Sequence, residues 1–260
     1  MLRSISTFSL FLLLVAYIGV PLLLGVYVGR RLRGDHAERK EPLGVVQGAL
    51  LGMVGLLLAF GLDMAVNRYE QRRATVVAES NTIGTTYLRA QMLAEPMRSE
   101  SLALLRNYGD ASLDLARHAP GDAEYAAADT EKQSLQSELW SLAGEAVAAD
   151  PDGTAPRLYV ETLNDMIDAH TDRLASMDNR VPETVVVLMI AGSAITLGVL
   201  ALYLTMLGRG LLSTVLAGVV VVLILFVSFD LDRPRRGFIT VPQTPLEQVR
   251  ASMDPPPAVP

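Results

Sequence analysis

Residues 43–73, LGVVQGALLGMVGLLLAFGLDMAVNRYEQRR, decide how this chain is read. The apolar part, 43–66, contains no proline and exceeds the roughly twenty residues that a helix needs to cross a bilayer core. It runs directly into Asn67, Arg68, Tyr69, Glu70, Gln71, Arg72 and Arg73, so the helix leaves the membrane through a charged collar. Gly44, Gly48 and Gly52 recur every four residues and are followed on the same slowly drifting stripe by Leu56, Phe60 and Met64. Small residues at this spacing allow close helix contact, which makes Gly44 and Gly48 candidate helix-packing positions. The bulky residues beyond them could form a constriction.

Residues 8–29, 185–207 and 211–229 are apolar over similar lengths, giving four spans in all. The first is too long for the apolar region of a cleavable signal peptide and lacks a small-residue cleavage pattern. It is expected to be a retained anchor kinked at Pro21. Half of the residues are apolar although the middle of the chain is polar, as expected of an integral membrane protein with one sizeable soluble part. The absence of cysteine excludes disulfides, thiolate zinc sites and cysteine nucleophiles.

Between the second and third spans, residues 67–182 have helical periodicity and none of the period of a strand. The second span is expected to continue as helix to Leu93, carried by Val76, Val77, Ile83, Tyr87, Leu88 and Met92. Pro96 opens a helix to His118, Asp122 caps one to Ala149, and Thr154 with Pro156 starts a fourth that ends near Arg180, because Pro182 disfavours helix before it. The expected organisation is therefore all-α: 1–42 with the first span and a short loop, 43–66 the second span, 67–182 soluble, 183–231 the last two spans, and 232–260 a proline-rich tail. That tail reads as extended, with Phe238, Ile239 and Val241 available for a docked strap over 237–246 and disorder beyond it.

Charge divides the soluble part. Residues 67–109 carry six arginines against four glutamates, and residues 110–178 carry four basic residues against fifteen acids. The acidic portion is either a solvated helical surface or a vestibule that concentrates cations. The positive-inside rule favours a cytoplasmic 67–182 through Arg3, Arg68, Arg72, Arg73, Arg233, Arg235 and Arg236. Arg30, Arg31, Arg33, Arg39 and Lys40 in the first loop argue the other way.

The stretch 56–84, LLLAFGLDMAVNRYEQRRATVVAESNTIG, resembles the second membrane helix of bestrophins and more closely the bestrophin-like family of bacterial multi-pass membrane proteins. Glu79, Ser80, Asn81, Ile83, Gly84, Thr85, Tyr87, Leu88, Arg89 and Ala90, and the ending Leu231, Asp232, Arg233, Pro234 and Gly237, carry the same resemblance. It implies a homo-oligomer, pentameric in bestrophins, in a bacterial plasma membrane, with the second helix lining a pore for small inorganic ions. The neck would fall at Gly52, Met53, Leu56 and Phe60, with Asp63 at its mouth and Asn67, Arg68, Glu70 and Arg72 in the collar. The paired tryptophans common in bestrophins are replaced by Tyr69 and Glu70, and the calcium-clasping acidic run has no counterpart after the fourth span. No cofactor, metal or calcium gating is implied.

Asp63 is the one ionisable residue well inside the second span, and a carboxylate in hydrocarbon costs about 2.5–3.5 kcal/mol on insertion scales. It is either an interfacial residue paired with Asn67 or an arginine, or part of a carboxylate ring that favours cations. Arg68, Arg72 and Arg73 are either membrane-surface anchors or an anion-attracting entrance. His118 near Asp114 and His170 near Asp168 and Asp172 are expected to be surface pairs, and 150–153 a turn lacking the ligands of a calcium loop. With no phosphate-binding glycine loop, zincin motif or nucleophile elbow, no residues remain on which to build an enzyme, and nothing points to nucleic acid. Two classes of function stand: an oligomeric channel, or a membrane-anchored helical-bundle sensor. The latter needs an output domain that the short tail does not provide.

Overall fold

The computed structural model describes residues 6–32, 37–208, 211–233, 235 and 237–254, with the side chains of 37–41 and 211 left aside. Arg3, Arg33, Arg209, Pro234, Arg236 and the prolines at 255–257 lie outside the described residues, as do the side chains of Arg39 and Lys40. Among the described residues the chain is all-α, with eight helices: α1 Thr7–Arg31, α2 Ala37–Ala90, α3 Met97–Leu115, α4 Ala123–Ala149, α5 Thr154–Asp178, α6 Glu183–Met206, α7 Leu211–Leu231 and α8 Thr244–Ala251. It divides into two compact units, Met1–Arg68 with Arg180–Ile239 and Tyr69–Asn179 with Thr240–Pro260.

The first unit holds the four helices long and apolar enough to cross a membrane: α1, the early part of α2, α6 and α7. Leu10, Leu14 and Ile18 recur every four residues along α1 and are buried against Leu197, Val222, Leu225 and Phe229. The rings of Phe11 and Phe226 pack edge to face with centroids 5.5 Å apart. Close approach is concentrated between α1 and α6, where a Cβ on Gly25 would lie 2.9 Å from the Ala201 Cβ and one on Gly29 would lie 2.8 Å from the Leu202 carbonyl oxygen. Without a hydrophobic drive between helices in lipid, contact of this kind is what dispersion can use. α1 continues through Pro21, whose missing N–H removes one ladder bond without ending the helix.

The end of α7 is tied by carboxylates. Buried Asp230 accepts from the backbone N–H groups of Phe238 at 2.9 Å and Ile239 at 2.8 Å, and Asp232 accepts from Val181 at 2.9 Å. Gly237 is required here, since a Cβ would stand 2.8 Å from the Asp230 carbonyl oxygen. The expected strap exists, but it is held by backbone hydrogen bonds: Phe238 is exposed, and of its three apolar residues only Val241 is buried.

The second unit packs the later part of α2 with α3, α4, α5 and α8 around Ile83, Tyr87, Leu105, Tyr108, Leu139, Tyr159, Leu163 and Met166. Residues 76, 83, 87 and 90 of α2 follow helical spacing and all are buried, which is why the helix persists beyond its apolar span. The helix boundaries shift slightly from those expected. Pro96 is the N-cap of α3 rather than its first helical residue, α3 stops at Leu115, and Gly153 rather than Thr154 caps α5. Asp122 precedes α4 but its side chain accepts from Ala119 N–H, outside the helix.

The expectation of disorder after residue 246 is corrected by α8. Pro245 stands in its first turn, where a missing N–H costs nothing, and Leu246 and Met253 reach the core. The Met253 carbonyl accepts from Tyr87 Oη and Arg106 Nε, each at 3.0 Å, while Ser80 Oγ donates to the Pro245 carbonyl at 2.8 Å.

Candidate functional site

On α2 the chain's own packing buries one side and leaves the other open. Val54, Leu58, Gly61 and Ala65 are buried, and Gly61 abuts Met189. On the opposite side Gly52, Met53, Leu56, Phe60, Asp63 and Asn67 are exposed, with Met53 at 68%, Leu56 at 58% and Phe60 at 59% of their full areas. The residues suggested for a neck thus share one unpartnered helix face. Asn67 Nδ2 donates to Asp63 Oδ2 at 3.1 Å, one turn apart, so the partner of this carboxyl is a neutral amide.

The glycine stripe separates into two environments. A Cβ on Gly44 would stand 2.8 Å from the Tyr203 hydroxyl of α6, whereas one on Gly48 or Gly52 would meet nothing. Within the chain only Gly44 serves helix packing. In the collar, Glu70 is exposed and pairs with exposed Arg73 at 3.4 Å, and Arg68 is half-buried. Arg72, at 1% exposure, is buried within the chain.

A second assembly, in the soluble unit, is polar and centres on the buried side chains of Glu79, Lys132, His170 and Arg173. Glu79 of α2 accepts from Lys132 Nζ of α4 at 2.5 Å through Oε1 and from Arg173 Nη1 of α5 through Oε2. Lys132 also reaches His170 Nδ1 at 3.0 Å, and His170 Nε2 meets Asp129 Oδ1 at 3.1 Å. An ammonium has no lone pair to offer, so His170 accepts at Nδ1, carries its proton on Nε2 and donates to Asp129. Arg173 Nη2 donates to Gln243 Oε1 at 3.1 Å, and Lys132 sits 4.5 Å over the Tyr108 ring. Two carboxylates against a lysine and an arginine leave this cluster neutral when His170 is neutral.

Burial alone would raise the Glu79 carboxyl, but the charges of Lys132 and Arg173 hold it well below the usual carboxylate range. Burial pushes Lys132 down to about 8 against the pull of Glu79. Tyr108 is pushed up, first by burial and then by the Glu79 charge. The expectation that His170 forms a surface pair with Asp168 or Asp172 is therefore corrected: it is buried and its partners come from α4. His118 does pair with Asp114, at 3.7 Å near the surface.

The cluster had a signal in the sequence. Glu79 falls in the register of Val76, Ile83 and Tyr87, Lys132 in that of Ala128, Leu135 and Leu139, and Arg173 in that of Met166 and Met177. Charges of opposite sign on the apolar faces of three helices must meet or remain unsatisfied.

The Bestrophin-like domain family matches residues 15–246. A crystal structure of a bacterial bestrophin homolog from Klebsiella pneumoniae, carrying a point mutation, aligns with a TM-score of 0.65 at 12% identity over 91% of this chain and 97% of that one. A crystal structure of a membrane protein aligns with a TM-score of 0.65 at 11% identity, covering 92% and 97%, and another with 0.57 at 13%, covering 94% and 95%. At these identities the likeness concerns the fold. Comparison with curated proteins yields no match.

Proposed function

The chain belongs to the bestrophin-like domain family, and from that premise we propose that it is a channel whose copies assemble in a bacterial plasma membrane around an ion pore lined by α2. One observation carries this reading: the stripe Gly52, Met53, Leu56, Phe60 and Asp63 is left open by the chain's own packing although it belongs to a membrane span. Lipid satisfies the apolar members but not Asp63, which gains from facing water. Cyclic symmetry places the same stripe of every copy around one axis, and five copies, the number in bestrophins, make a ring. Leu56 and Phe60 then form a constriction that gates by dewetting, and Asp63 supplies a ring of carboxylates below it. With Arg72 buried and Arg73 paired to Glu70, the exposed charge nearest the neck is Asp63, which favours small inorganic cations.

The test is ion flux into vesicles containing the purified protein, alongside native mass spectrometry. Phe60→Ala should raise flux severalfold in an intact oligomer, and Asp63→Asn should reduce the preference for cations over anions. A monomeric wild type, or an intact oligomer without flux in both wild type and Phe60→Ala, would exclude the channel.

A further inference from the structure

An apolar groove of about 400 Å³ runs along the membrane unit between α1 and α6, lined among others by Pro21, Leu24 and Val28 of α1, Leu43 of α2, and Ile195 and Gly198 of α6. We propose that it holds one acyl chain of an anionic phospholipid whose headgroup rests on Arg31. The two helices run in the same direction: Pro21 packs on Gly198, Gly25 on Ala201 and Gly29 on Thr205. Small residues on both sides bring the backbones together and form the floor, and larger side chains at Leu24 and Ile195, both more than half exposed, form the rims.

Length and charge select the occupant. From Pro21 to Val28, the ends of its lining on α1, the helix rises about 11 Å, and Arg31 lies about one turn further, so groove and headgroup position together span about half of a hydrocarbon core of about 30 Å. The groove therefore has the depth of a single leaflet, which suits an acyl chain. A helix from a second copy crosses the whole core, and a slot that ends midway does not fit it. Residues 24, 28 and 31 follow i, i+4, i+7 spacing, so Arg31 continues the groove's own face out of the apolar zone. Its exposed guanidinium lies 5.0 Å from the Tyr27 ring centroid, and Arg30 stands beside it, also exposed. Among the described residues no carboxylate pairs with Arg31. A ring and an exposed guanidinium at the end of a span suit a phosphate oxygen at headgroup depth.

This inference is independent of conduction. The test uses the full chain with Trp140→Phe, which removes the single tryptophan, and Ile195→Trp, which places a reporter on the groove rim. The protein is reconstituted in vesicles carrying brominated acyl chains on either phosphatidylglycerol or phosphatidylcholine, and helicity is checked by circular dichroism. The expected result is stronger quenching by the phosphatidylglycerol form, with the preference falling about fivefold in Arg31→Gln, as about 1 kcal/mol per basic residue at an anionic surface implies. Equal quenching by both lipids would overturn the headgroup assignment. A reporter that neither lipid reaches would show that a second copy covers the groove and would overturn the proposal.

Discussion

Glu79 is the carboxylate that joins α2, α4 and α5 in the buried ion cluster. It neutralises two buried cations, and removing one partner of a buried pair costs far more than the net worth of the pair. Glu79→Gln should destabilise this unit by about 3–5 kcal/mol, seen as a lower urea midpoint in the fluorescence of Trp140 on α4. An unchanged midpoint would mean that the cluster is not desolvated in solution. Proton linkage gives a second expectation. The folded-state pKa of Glu79 lies below its ordinary 4.5, so its stabilisation is complete above pH 4.5 and is lost as pH falls through the acid range. Lys132 sits near 8 rather than 10.5, so its contribution to stability rises with pH between those values and is constant below them. The Trp140 unfolding temperature should therefore drop below pH 4.5, and Glu79→Gln should flatten that limb.

At the scale of elements, α2 and α8 show how context decides what a helix does. Along α2 the glycine stripe is used inside the chain only at Gly44. Gly48→Leu should therefore leave the monomer folded while disrupting the oligomer in mild detergent, and native mass spectrometry reads this directly. An unchanged oligomer mass would remove Gly48 from any contact between copies. α8 is a short helix whose stability comes from where it docks: Leu246 and Met253 are buried, and Arg250 reaches both carboxylate oxygens of Asp110, at 2.7 and 3.1 Å. The Arg250 pair is largely solvated and contributes little. Leu246→Ala, by contrast, should cost about 2–5 kcal/mol and expose the segment after Thr240 to protease.

At the scale of the whole molecule, charge bears on which side of the membrane carries the soluble unit. The arginines of that unit's collar and of the tail favour the cytoplasm. Glu145 is exposed on α4 and lies apart from the buried ion cluster, which suits it to a labelling test. In the cysteine-free background, Glu145→Cys should resist an impermeant thiol reagent in intact cells and react after lysis. Labelling of intact cells would place the unit outside and favour the sensor reading.

The sequence by itself determined the four spans, the all-α class, the long second helix and its family, because span length, 3.6-residue periodicity and the 56–84 motif are local properties of the chain. It also put Gly52, Leu56, Phe60 and Asp63 on one face, since helix geometry follows from spacing alone. Tertiary structure decided what each polar residue faces. Arg72 and His170 have surface-like neighbours in sequence and buried ones in space, and Glu79, Lys132 and Arg173, far apart along the chain, form one ion cluster because three helices bring their apolar faces together. It also decided that α8 is ordered and that α1 and α6 approach closely at Gly25 and Gly29, whereas Gly48 and Gly52 of the second span meet nothing within the chain. Which face packs against what depends on the partner's surface, and a helix's own pattern does not specify that partner.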